Sequence, residues 1–107
     1  MSYTGEDFTD ADVGEEEFYG FNFIKDIPAG ETIDSVEFFL RSYPNSASDP
    51  DAQTRLLGSP IIVGTRAIQK IKIEVGGVRY KLKCIATTAT SKPALHSFFN
   101  VNSEGGC

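Results

Sequence analysis

Two runs of strict alternation, joined by a pair of glycines, constrain the fold of this chain more than any other feature. Residues 66–75 and 78–86 each alternate in character, and Gly76-Gly77 lies between them. One side of the two runs carries Gln69, Ile71, Ile73, Val75, Val78, Tyr80, Leu82, Cys84 and Ala86. A period of two is typical of half-buried strands, and a two-residue glycine turn is typical of a hairpin. We therefore predict a β-hairpin with one buried face and one solvated face.

The rest of the chain shows short β-prone segments separated by turn residues. We predict strands at 18–24, 32–43, 52–57, 61–63 and 94–101, of which 52–57 has the weakest pattern. Pro and Gly residues mark turns or breaks at 27–31, 44–51, 58–60 and 91–93. No segment carries the 3.6-residue period of a helix over three turns. About seven short strands joined by turns indicate an all-β protein, a β-sandwich.

Length and charge suggest how the chain is organised. A chain of 107 residues, 40% of them hydrophobic, suits one domain with one modest core. We expect an acidic N-terminal arm at residues 1–17, a sandwich domain at 18–101 and a flexible tail at 102–107. No apolar run is long enough to span a membrane, and no secretory signal is present, so we expect a product made in a cytoplasm.

The arm is the most charged part of the chain. Its acidic residues are Glu6, Asp7, Asp10, Asp12, Glu15, Glu16 and Glu17, and it holds no Lys or Arg, which gives a charge of −7. The whole chain carries −5, so residues 18–107 carry +2. Two interpretations stay open: a solvated tail that aids solubility, or an extended arm whose glutamates dock on a basic surface of a neighbouring chain.

The solvated face of the expected hairpin would be strongly basic. Its cations are Lys70, Lys72, Arg79, Lys81 and Lys83. The acidic arm of a neighbouring copy, or another acidic protein, is the most economical partner for such a patch. The acidic net charge and the lack of aromatic residues among these cations argue against single-stranded nucleic acid. Phe39 and Phe98, opposite the expected core face, would supply apolar partner contacts.

The residue types that carry catalysis or bind metals are scarce. His96 is the single histidine, and the two cysteines, Cys84 and Cys107, have no metal-binding spacing. Cys84 fits a buried strand position, whereas Cys107 ends the chain and could stay a free thiol or form an intermolecular disulfide. We predict no catalytic residues, no metal, no cofactor and no enzymatic activity.

The order of turn and strand motifs is similar to that of a known family. The chain runs from Gly30-Glu31-Thr32-Ile33 through Gly58-Ser59-Pro60 and Gly64-Thr65 to a Gly-x-x-Tyr-x-Leu-x-Cys-x-Ala-Thr-Thr strand at 77–88. Residues 22–101 thus resemble a family of small immunoglobulin-like phage and prophage proteins encoded among virion structural genes. The chain departs from that pattern in the longer segment after Ala-Thr-Thr, in its acidic arm and in its terminal cysteine.

The resemblance implies an immunoglobulin-like β-sandwich on a virion. Its role would be a capsid decoration or cement, a head–tail neck component or a tail-associated adaptor. Its partners would be major capsid, portal, neck or tail proteins, contacted by several symmetry-related copies. The alternative function is an immunoglobulin-like module that binds host-surface carbohydrate. That function needs exposed aromatic platforms, and the absence of Trp argues against it.

Overall fold

The computed structural model describes residues 2–3, 8, 11, 13–43 and 49–102, and within them the chain is built from β-strands. The strands are β1 (Ser2–Tyr3), β2 (Glu16–Asn22), β3 (Ser35–Ser42), β4 (Leu56–Val63), β5 (Arg66–Lys72), β6 (Arg79–Thr87) and β7 (Ala94–Asn100). A short 3-10 helix, Ala52–Arg55, precedes β4. Six strands are seven to nine residues long, and β1 has only two.

The strands form two sheets. One has the order β1-β7-β6-β3, and the other has the order β2-β5-β4. All pairs among the six long strands are antiparallel, and β1 lies parallel to β7 at the edge of the first sheet. The all-β class is therefore confirmed, and the arrangement is compatible with a β-sandwich. The described residues hold six strands of ordinary length, so the predicted count of about seven is not confirmed.

The core forms from the inward side chains of both sheets, on the faces that the alternation predicted. The buried positions include Gln69, Ile71 and Ile73 from one run and Tyr80, Leu82, Cys84 and Ala86 from the other. Across the core, the Phe99 ring stacks on Tyr19 with centroids 4.7 Å apart and on Tyr80 at 5.2 Å. Since Tyr19 belongs to β2 and Phe99 to β7, this stack joins the two sheets.

The predicted hairpin around Gly76-Gly77 is wrong. Strand β5 pairs with β2 and β4, whereas β6 pairs with β3 and β7, so the two alternating runs lie in different sheets. The glycines lie in a connection between the sheets, where the Gly77 N–H donates to the Val101 carbonyl at 2.9 Å. Alternation specifies which side chains of a strand point inward, but it does not specify which strand is the hydrogen-bonded partner. Two strands in opposite sheets that face each other across a core show the same alternation as two paired strands of one sheet.

The segment before β5 also differs from the prediction. Residues 52–55 are helical, and β4 continues through Gly58-Ser59-Pro60 with a shift of register between Leu57 and Ile61. The Gln69 amide donates to the Leu57 and Gly58 carbonyls at 3.0 and 3.3 Å, which satisfies backbone groups left unpaired by the bulge. The two-residue hairpin turn is Gly64-Thr65, between β4 and β5, where Gly64 has a φ of +61°.

A side chain from the 3-10 helix pairs with the free edge of β3. Gln53 Oε1 accepts from the Leu40 N–H at 3.0 Å, and Gln53 Nε2 donates to the Phe38 carbonyl at 3.0 Å. The amide thus imitates one rung of a neighbouring strand. We expect Gln53→Ala to lower the free energy of unfolding by about 1–2 kcal/mol, because both backbone groups lose a partner. Urea denaturation tests this, with Lys92→Ala, an exposed change, as a control with no measurable effect.

The described residues of the N-terminal arm pack on the domain. The Phe8 N–H donates to the Phe98 carbonyl at 2.9 Å, and the Ala11 N–H donates to the Asn100 carbonyl at 2.9 Å. The Phe8 ring lies edge-on to Tyr19, with centroids 4.9 Å apart. Phe8 and Ala11 thus run along β7 and cover one side of the core of their own chain, whereas a solvated tail or an arm docked on a neighbouring chain was predicted. Glu6, Asp7, Asp10 and Asp12 lie outside the described residues.

Candidate functional site

The outward side of β3, β6 and β7 gathers cations and rings on one surface, here called the cationic–aromatic face. Its members are Phe39, Arg41, Tyr43, Arg79, Lys81, Lys83, His96 and Phe98. The strand register arranges them in cross-strand rows. One row is Phe39, Lys83 and His96, and the next is Arg41, Lys81 and Phe98. Each row therefore holds at least one cation beside at least one ring.

Local alternation explains why these side chains share a surface. In β3 the buried Phe38 and Leu40 direct Phe39 and Arg41 outward, and in β6 the buried Leu82 has the same effect on its neighbours. Phe39 is 40% exposed and Tyr43 is 37% exposed. A shallow groove between β3 and β6 is lined by Phe39, Leu40, Arg41, Lys81 and Lys83.

The cations of this face lie against its rings. The Arg79 guanidinium is 4.5 Å from the centroid of Phe98, and the Lys83 ammonium is 5.6 Å from that of Phe39. The Tyr43 ring has Arg41 at 5.8 Å and Lys81 at 6.0 Å, and its centroid is 4.8 Å from that of Phe98. Such cation–π contacts hold the long side chains close to the sheet without neutralising their charge.

Neighbouring positive charges and burial act together on the titratable groups of this surface. Partial burial, with Arg41 and Lys83 nearby, lowers the pKa of Lys81. Burial, followed by the charges of Lys81 and Lys83, also lowers the pKa of His96 from its ordinary value. His96 therefore adds no charge to the face at neutral pH, and its ring lies edge-on to Phe98 at 5.6 Å.

The predicted patch of five cations is divided between the two sheets, so that prediction is wrong. Arg79, Lys81 and Lys83 belong to the cationic–aromatic face, but Lys70 and Lys72 lie on β5 in the other sheet. Lys70 pairs with Glu16 at 3.1 Å, and Lys72 lies 3.8 Å from Glu74. The Glu16 carboxylate, expected to dock on a neighbouring chain, thus has a partner within its own chain.

The other predicted interface residues are placed as follows. Phe39 and Phe98 lie off the core, as predicted, and their part in partner binding stays a prediction. Glu15 precedes β2 and is half-buried, and Glu17 is exposed within it. Cys84 is buried as predicted, and burial raises the pKa of its thiol to about 12. Cys107 lies outside the described residues, as does any disulfide it forms.

The outward side of the second sheet is different in chemistry and is here called the apolar face. Its apolar members are Phe18, Leu57, Ile61, Val63 and Ile68, which the register places on the same side of β2, β4 and β5. Arg66, Lys70 and Lys72 of β5 lie on this side too, and the Lys70 ammonium is 5.6 Å from the centroid of the Phe18 ring. Phe18 is 59% exposed, Ile61 47% and Val63 61%. A cleft on this side is lined by Phe18, Gly20, Phe21, Asn22, Arg66 and Ile68. A side chain at position 20 would be crowded, because a Cβ there would come within 3.1 Å of Ile68 Cγ1 and 3.2 Å of the Ala67 carbonyl oxygen.

Arg41 and Tyr43 on one face, and Phe18, Ile61 and Val63 on the other, were not among the predicted interface residues. A signal existed for Arg41, since it alternates with Phe39 and the buried Leu40 along β3. Placing it beside Lys81 required knowing that β3 pairs with β6. Aromatic rings do lie among these cations, contrary to the prediction, and they come from β3, from β7 and from the residue after β3.

The residues that the structure describes hold no group of three or more His, Cys, Asp or Glu side chains that could bind a metal ion. In the same part of the chain, no helix is long and apolar enough to cross a membrane. Comparisons with models of protein families, with curated proteins and with solved structures found no match.

Proposed function

We propose that this protein is a non-enzymatic, immunoglobulin-like structural module of a bacteriophage particle that acts by packing against other virion proteins. The observation that carries the proposal is the apolar face, where Phe18 of β2 and Ile61 and Val63 of β4 are exposed on the same side of one sheet. Exposed large apolar side chains grouped on one face, with charged residues among them, are typical of protein–protein interfaces. The cleft beside Gly20 gives this surface a concave site for a partner side chain.

The strand arrangement supports the immunoglobulin-like part of the proposal. Immunoglobulin domains place their second, fifth and fourth strands in one sheet and their third, sixth and seventh in the other. The sheets β2-β5-β4 and β7-β6-β3 have that order, if β1 is counted as the first strand.

The virion part of the proposal is supported by the resemblance of residues 22–101 to small phage and prophage structural proteins. A small domain with one apolar face suits a component present in several symmetry-related copies, as in a capsid decoration or a neck ring. The partner would be a capsid, portal, neck or tail protein.

Mass spectrometry of purified particles tests this function. We expect the chain to co-purify with particles through a density gradient at a fixed copy number. We expect the double variant Phe18→Lys, Val63→Lys to lower incorporation at least about tenfold, because two buried charges at an interface cost several kcal/mol. Asp26→Lys, in an exposed turn, is the matched control and should be incorporated normally. Absence of the chain from particles, or full incorporation of the double variant, would contradict the proposal.

A further inference from the structure

Three cations of the cationic–aromatic face, Arg41, Lys81 and Lys83, form no ion pair within the described residues. Arg55, Lys70 and Lys72 each have a carboxylate oxygen within 4.0 Å. Within the described residues, no such carboxylate lies near Arg41, Lys81 or Lys83. Arg41 and Lys81 are nevertheless direct cross-strand neighbours. Like charges at paired positions are destabilising, so this arrangement indicates a surface suited to a polyanion.

Acidic groups are also scarce at the outward strand positions around this face. Glu37 is the single carboxylate among the outward positions of β3, β6 and β7, and it pairs with Ile85 in the row next to that of Phe39 and Lys83. The negative charge that makes the whole chain −5 therefore resides elsewhere. A polyanion lying on this face meets a local positive field in spite of the acidic composition.

The rings add a second recognition element. Phe39 and Tyr43 expose ring surface on the β3 side, and the half-buried Phe98 lies on β7, with the cations of β6 between them. Along β6, successive outward cations lie about 6.7 Å apart, the spacing of alternate residues in a strand. A ligand that follows this face thus meets positive charge and aromatic ring at short, repeated intervals.

We propose that the cationic–aromatic face binds single-stranded nucleic acid without strong sequence preference. Its phosphates would lie along Arg41, Lys81 and Lys83, and its bases would stack on Phe39 and Tyr43. Positive grooves with interleaved aromatic rings are the general solution for this ligand. The inference goes beyond the proposed structural function and concerns the opposite side of the protein from the apolar face.

The rings distinguish this ligand from two other polyanions. An acidic peptide would use the cations but gain little from ring faces, which carry partial negative charge. An acidic glycan could stack on the rings, but its hydroxyl groups need neutral polar partners. Such partners are few on this face: the neutral polar side chains at the outward positions of β6 and β7 are Thr87, His96 and Asn100. Flat bases joined by phosphates match both components of the face.

Fluorescence anisotropy of a labelled 15-nucleotide oligothymidylate with the full chain tests the proposal. We expect saturable binding, with a dissociation constant below about 100 μM, the weak end of non-specific binding to nucleic acid. The double variant Lys81→Gln, Lys83→Gln should lower the slope of log K against log salt by about 1.4, since each phosphate contact contributes about 0.7 for single strands. Lys70→Gln, Lys72→Gln is the matched control, because it removes the same charge from the other sheet and should leave binding unchanged.

A ring variant separates stacking from charge. We expect Phe39→Leu to weaken oligothymidylate binding about fivefold or more, the low end of what one stacked base contributes. Phe18→Leu on the apolar face should have no effect. Circular dichroism of each variant verifies the fold, and Lys81→Gln relieves like-charge crowding, so these variants are expected to fold.

Three results would overturn the proposal. The first is no anisotropy change at about 100 μM chain in low salt, where non-specific binding is strongest. The second is binding of poly-glutamate or heparin that is as tight as that of oligothymidylate and is not weakened by Phe39→Leu. This would show a site for acidic chains in general. The third is equal loss of binding in the Lys70, Lys72 control. None of these results affects particle incorporation, which tests the apolar face separately.

Discussion

Replacing Asp49 with alanine is expected to lower the free energy of unfolding by about 2–4 kcal/mol, because it removes the acceptor of a buried hydroxyl and of a guanidinium. Asp49 Oδ2 accepts from the Tyr80 hydroxyl at 2.5 Å and from Arg55 Nε at 3.3 Å. Its Oδ1 accepts from Arg55 Nη2 at 3.2 Å. Asp49 also donates its N–H to Ser42 Oγ at 3.0 Å. The carboxylate thereby ties the segment between β3 and β4 to the start of β6.

Urea denaturation followed by far-UV circular dichroism measures this cost. A double-mutant cycle with Tyr80→Phe should give a coupling energy of about 1–2 kcal/mol, because the two groups share one hydrogen bond in a buried setting. Glu37→Ala, an exposed carboxylate on β3, is the control and should change stability by less than about 0.5 kcal/mol. A loss below that value for Asp49→Ala would show that the network contributes nothing to the fold.

The same network predicts how stability depends on pH. Burial alone would raise the pKa of the Asp49 carboxyl, but the hydrogen bonds from Tyr80 and Arg55 outweigh it and hold the pKa below its ordinary value. A carboxyl with a lowered folded-state pKa stabilises above its unfolded pKa, near 3.9, and this contribution is lost as pH falls through the folded value. The stability difference between the natural chain and Asp49→Asn should therefore shrink below about pH 4.

Tyr80 has the opposite effect on the pH dependence: its contribution to stability is lost as the pH rises. Burial, and then the hydrogen bond to Asp49, raises the pKa of its phenol well above the ordinary value. The neutral phenol is favoured in the folded state, so its contribution is present below about pH 10 and is lost as pH rises further. Above about pH 10, the free energy of unfolding of Tyr80→Phe should fall less steeply with rising pH than that of the natural chain. Parallel alkaline profiles of the two proteins would contradict the buried hydrogen bond.

Much of the core could be predicted from the sequence, and most of the strand pairing could not. The alternation at Tyr80, Leu82 and Cys84 specifies an inward face in any β-sheet, and these residues are buried. The partner of a strand depends on contacts distant in sequence, and Gly76-Gly77 suits a crossing between sheets as well as a hairpin. Because the glycines were read as a hairpin, Lys70 and Lys72 were predicted to lie beside Lys81, whereas the cross-strand neighbour of Lys81 is Arg41.

The buried network and the packed arm were invisible for a related reason. Asp49 lies 31 positions before Tyr80, and its neighbours Pro50 and Asp51 favour a solvated turn. The arm carries many charges, and charged segments are typically solvated. Its apolar residues, Phe8 and Ala11, are the signal that it contacts the core, and they are spaced too irregularly for a strand pattern to include them.

Phe99→Ala is expected to have the largest effect of all, a loss of about 3–5 kcal/mol, because it removes a fully buried ring from the junction of the two sheets. The Phe99 ring is stacked between Tyr19 of β2 and Tyr80 of β6, at interplanar angles of 13° and 21°. Each such pair adds about 0.5–1.5 kcal/mol beyond the burial of its area. The variant therefore loses hydrophobic burial, both stacking contacts and the packing that holds β2 against β7.

A domain of this size has a total stability of about 5–15 kcal/mol, so Phe99→Ala can leave a large unfolded population. Phe99→Leu keeps most of the volume and should lose about 1–2 kcal/mol, chiefly the two stacking contacts. Phe39→Leu changes the same residue type on the outer surface and should cost less than about 0.5 kcal/mol. If this ring joins the two sheets, the loss in free energy of unfolding measured by urea denaturation should be largest for Phe99→Ala, smaller for Phe99→Leu and smallest for the control Phe39→Leu. Equal effects of Phe99→Leu and Phe39→Leu would mean that the Tyr19–Phe99–Tyr80 stack does not hold the sheets together.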